Sequence, residues 1–407
     1  MSEVAQAPQL RFPEFIGEWD VTNFGNISSI KRGASPRPIS SPKWFDKDSS
    51  VGWVRISDVT KSKKYLKKTE QYLSEDGINR SRKVDKGNLI MSICATIGKP
   101  IYTNFNVCIH DGFIVFDSLS EDKGFIYYLL EKIQKKWYRY GQPGTQVNLN
   151  SDIVSSEIFS IPTKPEQQKI AAFLTAVDNK IEQLSKKQEL LGEYKKGLMQ
   201  KIFSQAIRFK ADDGGDYPDW EELKLGEVAR FRRGSFPQPY GNPEWYDDED
   251  GKPFVQVYDV AGNMRLKSTT KRKISVLAQS SSVFVPKGNV VLTIQGSIGR
   301  IALTQYDAYV DRTLLIFTGY IKEVNKQFFI YVIYLLFEIE KIKAPGGTIK
   351  TITKEALTSF KLDLPCFDEQ TKIANFLSSI DSKIEQVGKQ LDKSKQFKKA
   401  LLQQMFV

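Results

Sequence analysis

From Ile170 the chain places apolar residues at alternating spacings of four and three: Ile170, Leu174, Val177, Ile181, Leu184, Leu191, Leu198 and Ile202, with Gln188 and Lys195 as the polar members. A second series repeats the spacing: Ile373, Leu377, Ile380, Ile384, Val387, Leu391, Leu401 and Met405, with Ser394 and Lys398 as its polar members. Apolar periodicity sustained this long predicts a coiled-coil seam rather than an ordinary core-facing helix. Each helix of roughly 40 residues spans about 60 Å, more than the width of the domain before it. Polar residues inside a seam fix register at some cost in stability, the role expected of Lys195 and Lys398. Ahead of each helix the pattern changes. Short apolar stretches such as Gly52–Ile56 and Asn88–Ile93 lie between turn signals such as Lys86-Gly87-Asn88 and Gln142-Pro143-Gly144, which predicts a β-rich domain. Inside it, 125–139 and 328–343 are the helix candidates.

The chain is written twice. At an offset of 201, Trp19 falls on Trp220, Arg32-Gly33 on Arg233-Gly234, Pro36 and Pro38 on Pro237 and Pro239, Asp58-Val59 on Asp259-Val260, and Ile97-Gly98 on Ile298-Gly299. After a slip of two residues, Gly144-Thr145 matches Gly347-Thr348, Glu166-Gln167 matches Glu369-Gln370, and Lys180–Gln183 matches Lys383–Gln386. A unit of this length is a domain plus a connector, too long for a solenoid repeat. The expected fold is α+β: two mixed, β-rich globular heads, 1–160 and 207–361, separated by two long helices, 161–206 and 362–407, that run antiparallel. Two tandem copies can mimic a dimer with a pseudo-two-fold axis, which suits a target such as duplex DNA carrying two half-sites. Likeness between the heads predicts half-sites that share some bases in inverted orientation.

Charge sharpens this only modestly. The formal net charge is +11, and residues 161–210 alone carry 10 basic and 5 acidic groups. A basic excess of that size favours a polyanionic partner without naming one. Cys94, Cys108 and Cys366 are scattered singly and suit a reducing compartment, so a cytoplasmic location is expected. The first residues lack a signal-peptide pattern and the longest apolar run, 328–337, is half a membrane span.

Catalytic signatures are absent. No G-x-x-x-x-G-K-[ST] loop or dinucleotide fingerprint occurs, so no nucleotide cofactor is expected on this chain. The one histidine, His110, lies near Cys108 but lacks two further ligands for a metal site. Pro218-Asp219 with Glu222-Leu223-Lys224 is too tightly spaced for a metal-nuclease set, and the first copy lacks it. The reading is a recognition protein without catalysis. Thr163-Lys164-Pro165-Glu166 has capping-box spacing at the first helix start, and Cys366 removes that cap from the second copy.

One segment carries a family resemblance. Ile161-Pro162, Glu166-Gln167-Gln168-Lys169-Ile170-Ala171, Phe173-Leu174, Asp178 and Ile181 recur as Leu364-Pro365, Glu369-Gln370-Thr371-Lys372-Ile373-Ala374, Phe376-Leu377, Asp381 and Ile384. With a globular domain before each and a heptad helix after, the chain resembles the specificity subunit of type I restriction–modification systems. The resemblance implies two target-recognition domains, each reading half of a split double-stranded DNA sequence, and paired helices that act as a ruler. It implies docking of two modification (methyltransferase) subunits, which hold S-adenosylmethionine, and of restriction (translocase) subunits using ATP and Mg. No metal or cofactor is implied on this chain. The alternative is a stand-alone bipartite DNA-binding regulator, which would bind its operator tightly by itself.

Basic residues at duplicated positions are the DNA-contact candidates, because both heads meet the same phosphate backbone. These are Lys31 and Arg32 with Arg232 and Arg233, and Lys99 with Arg300. Thr145 and Gln146, with Thr348 and Lys350, mark the Gly-Thr loops as further candidates. Ile170, Leu174, Val177, Ile181 and Leu184, with Ile373, Leu377, Ile380, Ile384 and Val387, are assigned to the seam and to partner docking. The unshared clusters Lys61–Lys68 and Lys271–Lys273 are equally consistent with solvated faces.

Overall fold

A computed structural model describes residues 7–140, 149–343, 352 and 354–407. The chain forms two compact units, residues 1–187 with 387–407, and residues 188–386. Each unit takes part of both long helices, Lys164–Phe203 and Phe367–Gln404. Among the described residues no helix is long and apolar enough to cross a membrane.

The first unit has three sheets. Asp20–Asn23 pairs antiparallel with Ile158–Ile161 beside the start of the long helix. A five-stranded sheet follows the order Ser29–Arg32, Phe113–Asp117, Leu89–Ser92, Pro100–Thr103, Tyr65–Leu66, and a four-stranded sheet the order Gln71–Tyr72, Gly52–Val54, Val107–Ile109, Arg82–Val84. The second unit repeats the plan: Glu221–Lys224 pairs with Lys361–Leu364, and two four-stranded sheets follow. Val290–Thr293 and Leu314–Tyr320 are the central strands of one, Lys252–Val255 and Ala308–Val310 of the other. The helix candidates are realised as Lys123–Ile133, continued by a 3-10 segment to Tyr140, and as Lys326–Lys343.

Many residues shared by the two copies are explained by folding. Gly98 and Gly299 have φ of +71° and +83°, and a Cβ there would stand 2.2 Å from the Trp137 ring and 2.6 Å from Phe337. Only glycine fits that turn against that helix. Asp58 and Asp259 are buried and tie their own helical turn, accepting from the N–H of Arg55 at 2.8 Å and of Gln256 at 2.9 Å.

The Glu-Gln pair that opens each long helix is a buried latch. Glu166, 1% exposed, accepts from Nε and Nη2 of Arg11 at 2.8 Å each. Glu369 accepts likewise from Arg208, and also from Nε1 of Trp220 at 2.9 Å. The Glu166 carboxylate therefore faces Arg11 rather than closing a capping box with Thr163. That correction follows from charge: a buried carboxylate needs a cation more than an end N–H needs a second acceptor. Gln167 and Gln370 donate to the Pro162 and Pro365 carbonyls at 2.9 Å and accept from Asp122 N and Asn325 N. Each ties the helix start to the helix inside its head.

Within each unit the two helix segments run in opposite directions. In the first, Ile170 and Leu174 share a core with Leu401 and Met405, and Asp178 meets Lys398 further along. In the second, Ile373 and Leu377 share a core with Met199 and Ile202, and Asp381 meets Lys195. The seam lysines are thus paired across the helices. Lys195 Nζ lies 2.6 Å from Asp381 Oδ1, whose Oδ2 accepts from Tyr331 Oη at 2.6 Å. Lys398 lies 2.8 Å from both Glu131 oxygens and from Asp178 Oδ1, while Tyr128 Oη donates to Asp178 Oδ2 at 2.7 Å. A slip of one heptad would leave each lysine without its carboxylate, so the pairs specify register. Lys64 adds a second cation to the first cluster, donating to Tyr128 Oη and Thr175 Oγ1, and Glu131 is the extra anion that balances it. Burial lowers the Lys64 pKa, against the opposing pull of the Asp178 carboxylate.

Candidate nucleic-acid interface

Lys31 and Arg32 sit on the edge strand Ser29–Arg32 of the five-stranded sheet. Lys31 is ion-paired with Asp117, and Arg32 Nε donates to the Asp111 carbonyl at 2.8 Å. Both contacts are exposed, so each head group remains accessible to solvent. Arg232 and Arg233 occupy the matching edge strand Ala229–Arg233 and are exposed.

Lys99 and Arg300 have a different task. Lys99 Nζ donates to the carbonyls of Val59 at 2.7 Å and Ser62 at 2.8 Å, and Arg300 Nη1 to the carbonyl of Val260 at 3.3 Å. Val59 and Val260 are themselves equivalent positions, so the shared cation braces the end of a short helical turn. Two strands separate Lys99 from Lys31 in the sheet, so the duplicated basic residues do not form one patch. Thr145, Gln146, Thr348 and Lys350 lie outside the described residues.

The seam residues are turned inward. Ile170, Leu174 and Leu184, with Ile373, Leu377, Ile380 and Val387, are buried, and Val177, Ile181 and Ile384 are half-buried. Two aromatic side chains on the same helices face solvent instead. Tyr194 is 56% exposed and Phe397 is 51% exposed, and they are equivalent at the offset of 203. Periodicity reasoning passed over them because they fall outside the seam.

The unshared lysines line a cleft of about 1110 Å³ in the first unit. Its walls are the segment 58–70 on one side and parts of both long helices, at Asp178–Glu182 and at Lys395 and Lys398, on the other. Lys61 is paired with Glu70. Lys63, Lys67, Lys68 and Lys395 are exposed on the same walls, giving a concentration of positive charge that the second unit does not repeat at 262–269. Cations gathered in a cleft attract phosphates more strongly than the same charges spread on a convex face.

His110 is largely buried between Trp53 and Phe113, and its Nδ1 accepts the Gly112 N–H at 2.8 Å. That bond requires the neutral ring, and burial lowers the His110 pKa below its ordinary 6.5 although Asp111 opposes the shift. The resulting stabilisation is present above pH 6.5 and lost as pH falls through the depressed value. The difference in urea midpoint between wild type and His110→Gln should be constant above neutrality and shift as pH falls to about 5.5. A difference independent of pH would show that the ring does not titrate between folded and unfolded states. Among the described residues, no group of three or more His, Cys, Asp or Glu side chains is arranged to hold a metal ion.

A duplicated α+β head, each copy followed by a long helix and carrying basic residues on an edge strand, is the arrangement of a recognition protein. The family model for the type I restriction–modification DNA specificity domain matches twice, at 16–191 and 217–393, and the chain belongs to that family. The type I restriction enzyme MjaVIII specificity subunit of Methanocaldococcus jannaschii is 24% identical over 97% of this chain and 92% of its own length. Another specificity chain from the same organism is 27% identical over 68% of this chain and 66% of its own length. The crystal structure of the type I restriction–modification S subunit from M. genitalium superposes with a TM-score of 0.62 at 16% identity, covering 98% of this chain and 99% of that one. A second structure, from work on assembly and conformational transition of the type I R-M system, gives 0.58 at 18% identity, covering 94% and 96%. The chain is a type I specificity subunit: it serves DNA recognition and is not itself the catalyst.

Proposed function

We propose that this subunit reads a bipartite DNA target, one half-site per head, with 1–160 and 207–361 as the two target-recognition domains. The observation that carries this is the repetition of one sheet plan and one helix latch in both units of a single chain. Duplex DNA offers equivalent surfaces at successive helical turns, about 34 Å apart, and a chain with two like heads can present one head to each of two half-sites. Lys31, Arg32, Arg232 and Arg233 are assigned to phosphates, and the lysine cleft extends that surface in the first unit. Methyltransferase subunits dock on the helices, where Tyr194 and Phe397 offer two equivalent anchors of the kind interfaces favour. Those subunits supply S-adenosylmethionine, and restriction subunits supply ATP-driven steps. The assembly works in the cytoplasm, where its DNA is.

Genome-wide methylation mapping with and without the gene tests the reading. A split motif should lose methylation on deletion and regain it on complementation; a methylome that deletion leaves unchanged would remove the proposal. At the residue level, Arg232→Ala should weaken binding to all sequences alike and reduce the slope of log K against log salt by about one. An unaltered slope takes Arg232 off the phosphate list.

A further inference from the structure

Because the chain holds two copies of one scaffold, places where the copies differ stand out against a constant frame. Gly33 and Gly234 show how constant it is: a Cβ would stand 2.0 Å from the His110 carbonyl in one head and 2.4 Å from that of Asp311 in the other. Immediately beside this contact, after the equivalent strands Val107–Ile109 and Ala308–Val310, the polar chemistry is reversed. The first head carries His110-Asp111 and the second Asp311-Arg312. A carboxylate therefore occupies the place that a guanidinium occupies in the other copy.

Each of these exposed groups stands on an organised support. Arg312 lies 5.5 Å from the Tyr240 ring centroid, and Gln256, 7% exposed, is hydrogen-bonded to both Tyr240 Oη and Tyr258 Oη. Beneath them Asp311, 2% exposed, accepts from Thr313 through Oδ2, while its Oδ1 has no hydrogen-bond partner among the described residues. In the first head Asp111, with a side chain 44% exposed, accepts from Ser35 Oγ at 2.7 Å and lies 3.4 Å from Arg37 Nη2. Its backbone carbonyl holds Arg32, already assigned to phosphates. The lysines of segment 61–68 also differ between the heads, but they are ammonium groups on flexible stems without the fixed planar fork of an arginine.

We propose that Asp111 in the first head and Arg312 in the second are base-reading residues at one equivalent point, with Tyr240, held by Gln256, positioning the second of them. An arginine fork pairs with the N7 and O6 acceptors of guanine, whereas a carboxylate accepts from the amino group of cytosine or adenine. The base pair met by Arg312 therefore contains guanine, and the base met by Asp111 presents an amino donor. This assignment rests on the bipartite reading above, and it replaces the shared inverted bases expected from the repeat at this one position.

The test is selection from a randomised duplex library by the tagged chain isolated with the subunits it assembles with. Arg312→Ala should cost about ten- to a hundredfold in preference for one guanine-containing pair, in one half of the motif only. Asp111→Asn should alter the other half and leave the first untouched. Neither variant should change the salt slope, and the exposure of both side chains leaves the thermal midpoint as a folding control. A uniform loss of affinity with a reduced slope would make them phosphate contacts and overturn the assignment; so would an unchanged motif in both variants. If the wild-type complex selects no split motif, the bipartite reading fails first and this assignment with it.

Discussion

Arg11→Ala is expected to destabilise the first unit by about 3–5 kcal/mol, the range for removing one partner from a buried ion pair. Glu166 is buried and both its oxygens accept from Arg11, so truncation strands a charge rather than merely deleting a contact. For a unit of this size the midpoint of thermal unfolding should fall by roughly 10 °C. The matching change in the second unit, Arg208→Ala, should cost about 1 kcal/mol less, because Trp220 Nε1 still donates to Glu369. Trp19 occupies the equivalent position in the first unit, but its Nε1 has no hydrogen-bond partner among the described residues. Adding Glu166→Gln to Arg11→Ala should recover part of the loss, since a neutral amide costs less to bury. Equal losses for Arg11→Ala and Arg208→Ala in calorimetry would disprove the stranded-charge account.

Asp381→Ala is the second large effect, and it separates the two seam clusters. Among the described residues Lys195 is ion-paired with Asp381, and its side chain is only 11% exposed. Losing Asp381 should cost about 3 kcal/mol, at the low end for a buried pair because Asp381 is itself 30% exposed. The equivalent change, Asp178→Ala, should cost nearer 1 kcal/mol, because Lys398 keeps Glu131 on both oxygens. The double variant Asp381→Ala with Lys195→Met should return part of the stability, since no charge is then stranded and only the Tyr331 hydroxyl loses its acceptor. Circular dichroism melts of the four proteins decide this, and an Asp178→Ala loss as large as that of Asp381→Ala would refute it.

These asymmetries mark the limit of what spacing alone reveals. The heptads, the repeat and the β-rich heads are legible because they are local periodicities or comparisons of the chain with itself. The partners are not. Arg11 meets Glu166 across 155 residues and Lys398 meets Glu131 across 267, and no local pattern announces either contact. The Glu-Gln pair is recognisable as shared, but spacing alone gives Glu166 a capping box with Thr163, the short-range use of that separation, and no hint of Arg11. Duplication itself was also double-edged. It singled out Lys99 and Arg300 as DNA contacts, yet positions shared by both copies include those that the common scaffold needs, and this pair holds carbonyls. Tyr194 and Phe397 show the converse, being equivalent, exposed and outside the seam on which attention falls.

The division of the chain sets an order of maturation during synthesis. Residues 188–386 form the second unit as one continuous stretch, while the first unit is completed by 387–407. Leu401, Met405 and Phe406 belong to the first unit's core beside Phe125 and Ile170. The ribosome therefore delivers every residue of the later-encoded head before the earlier one can close.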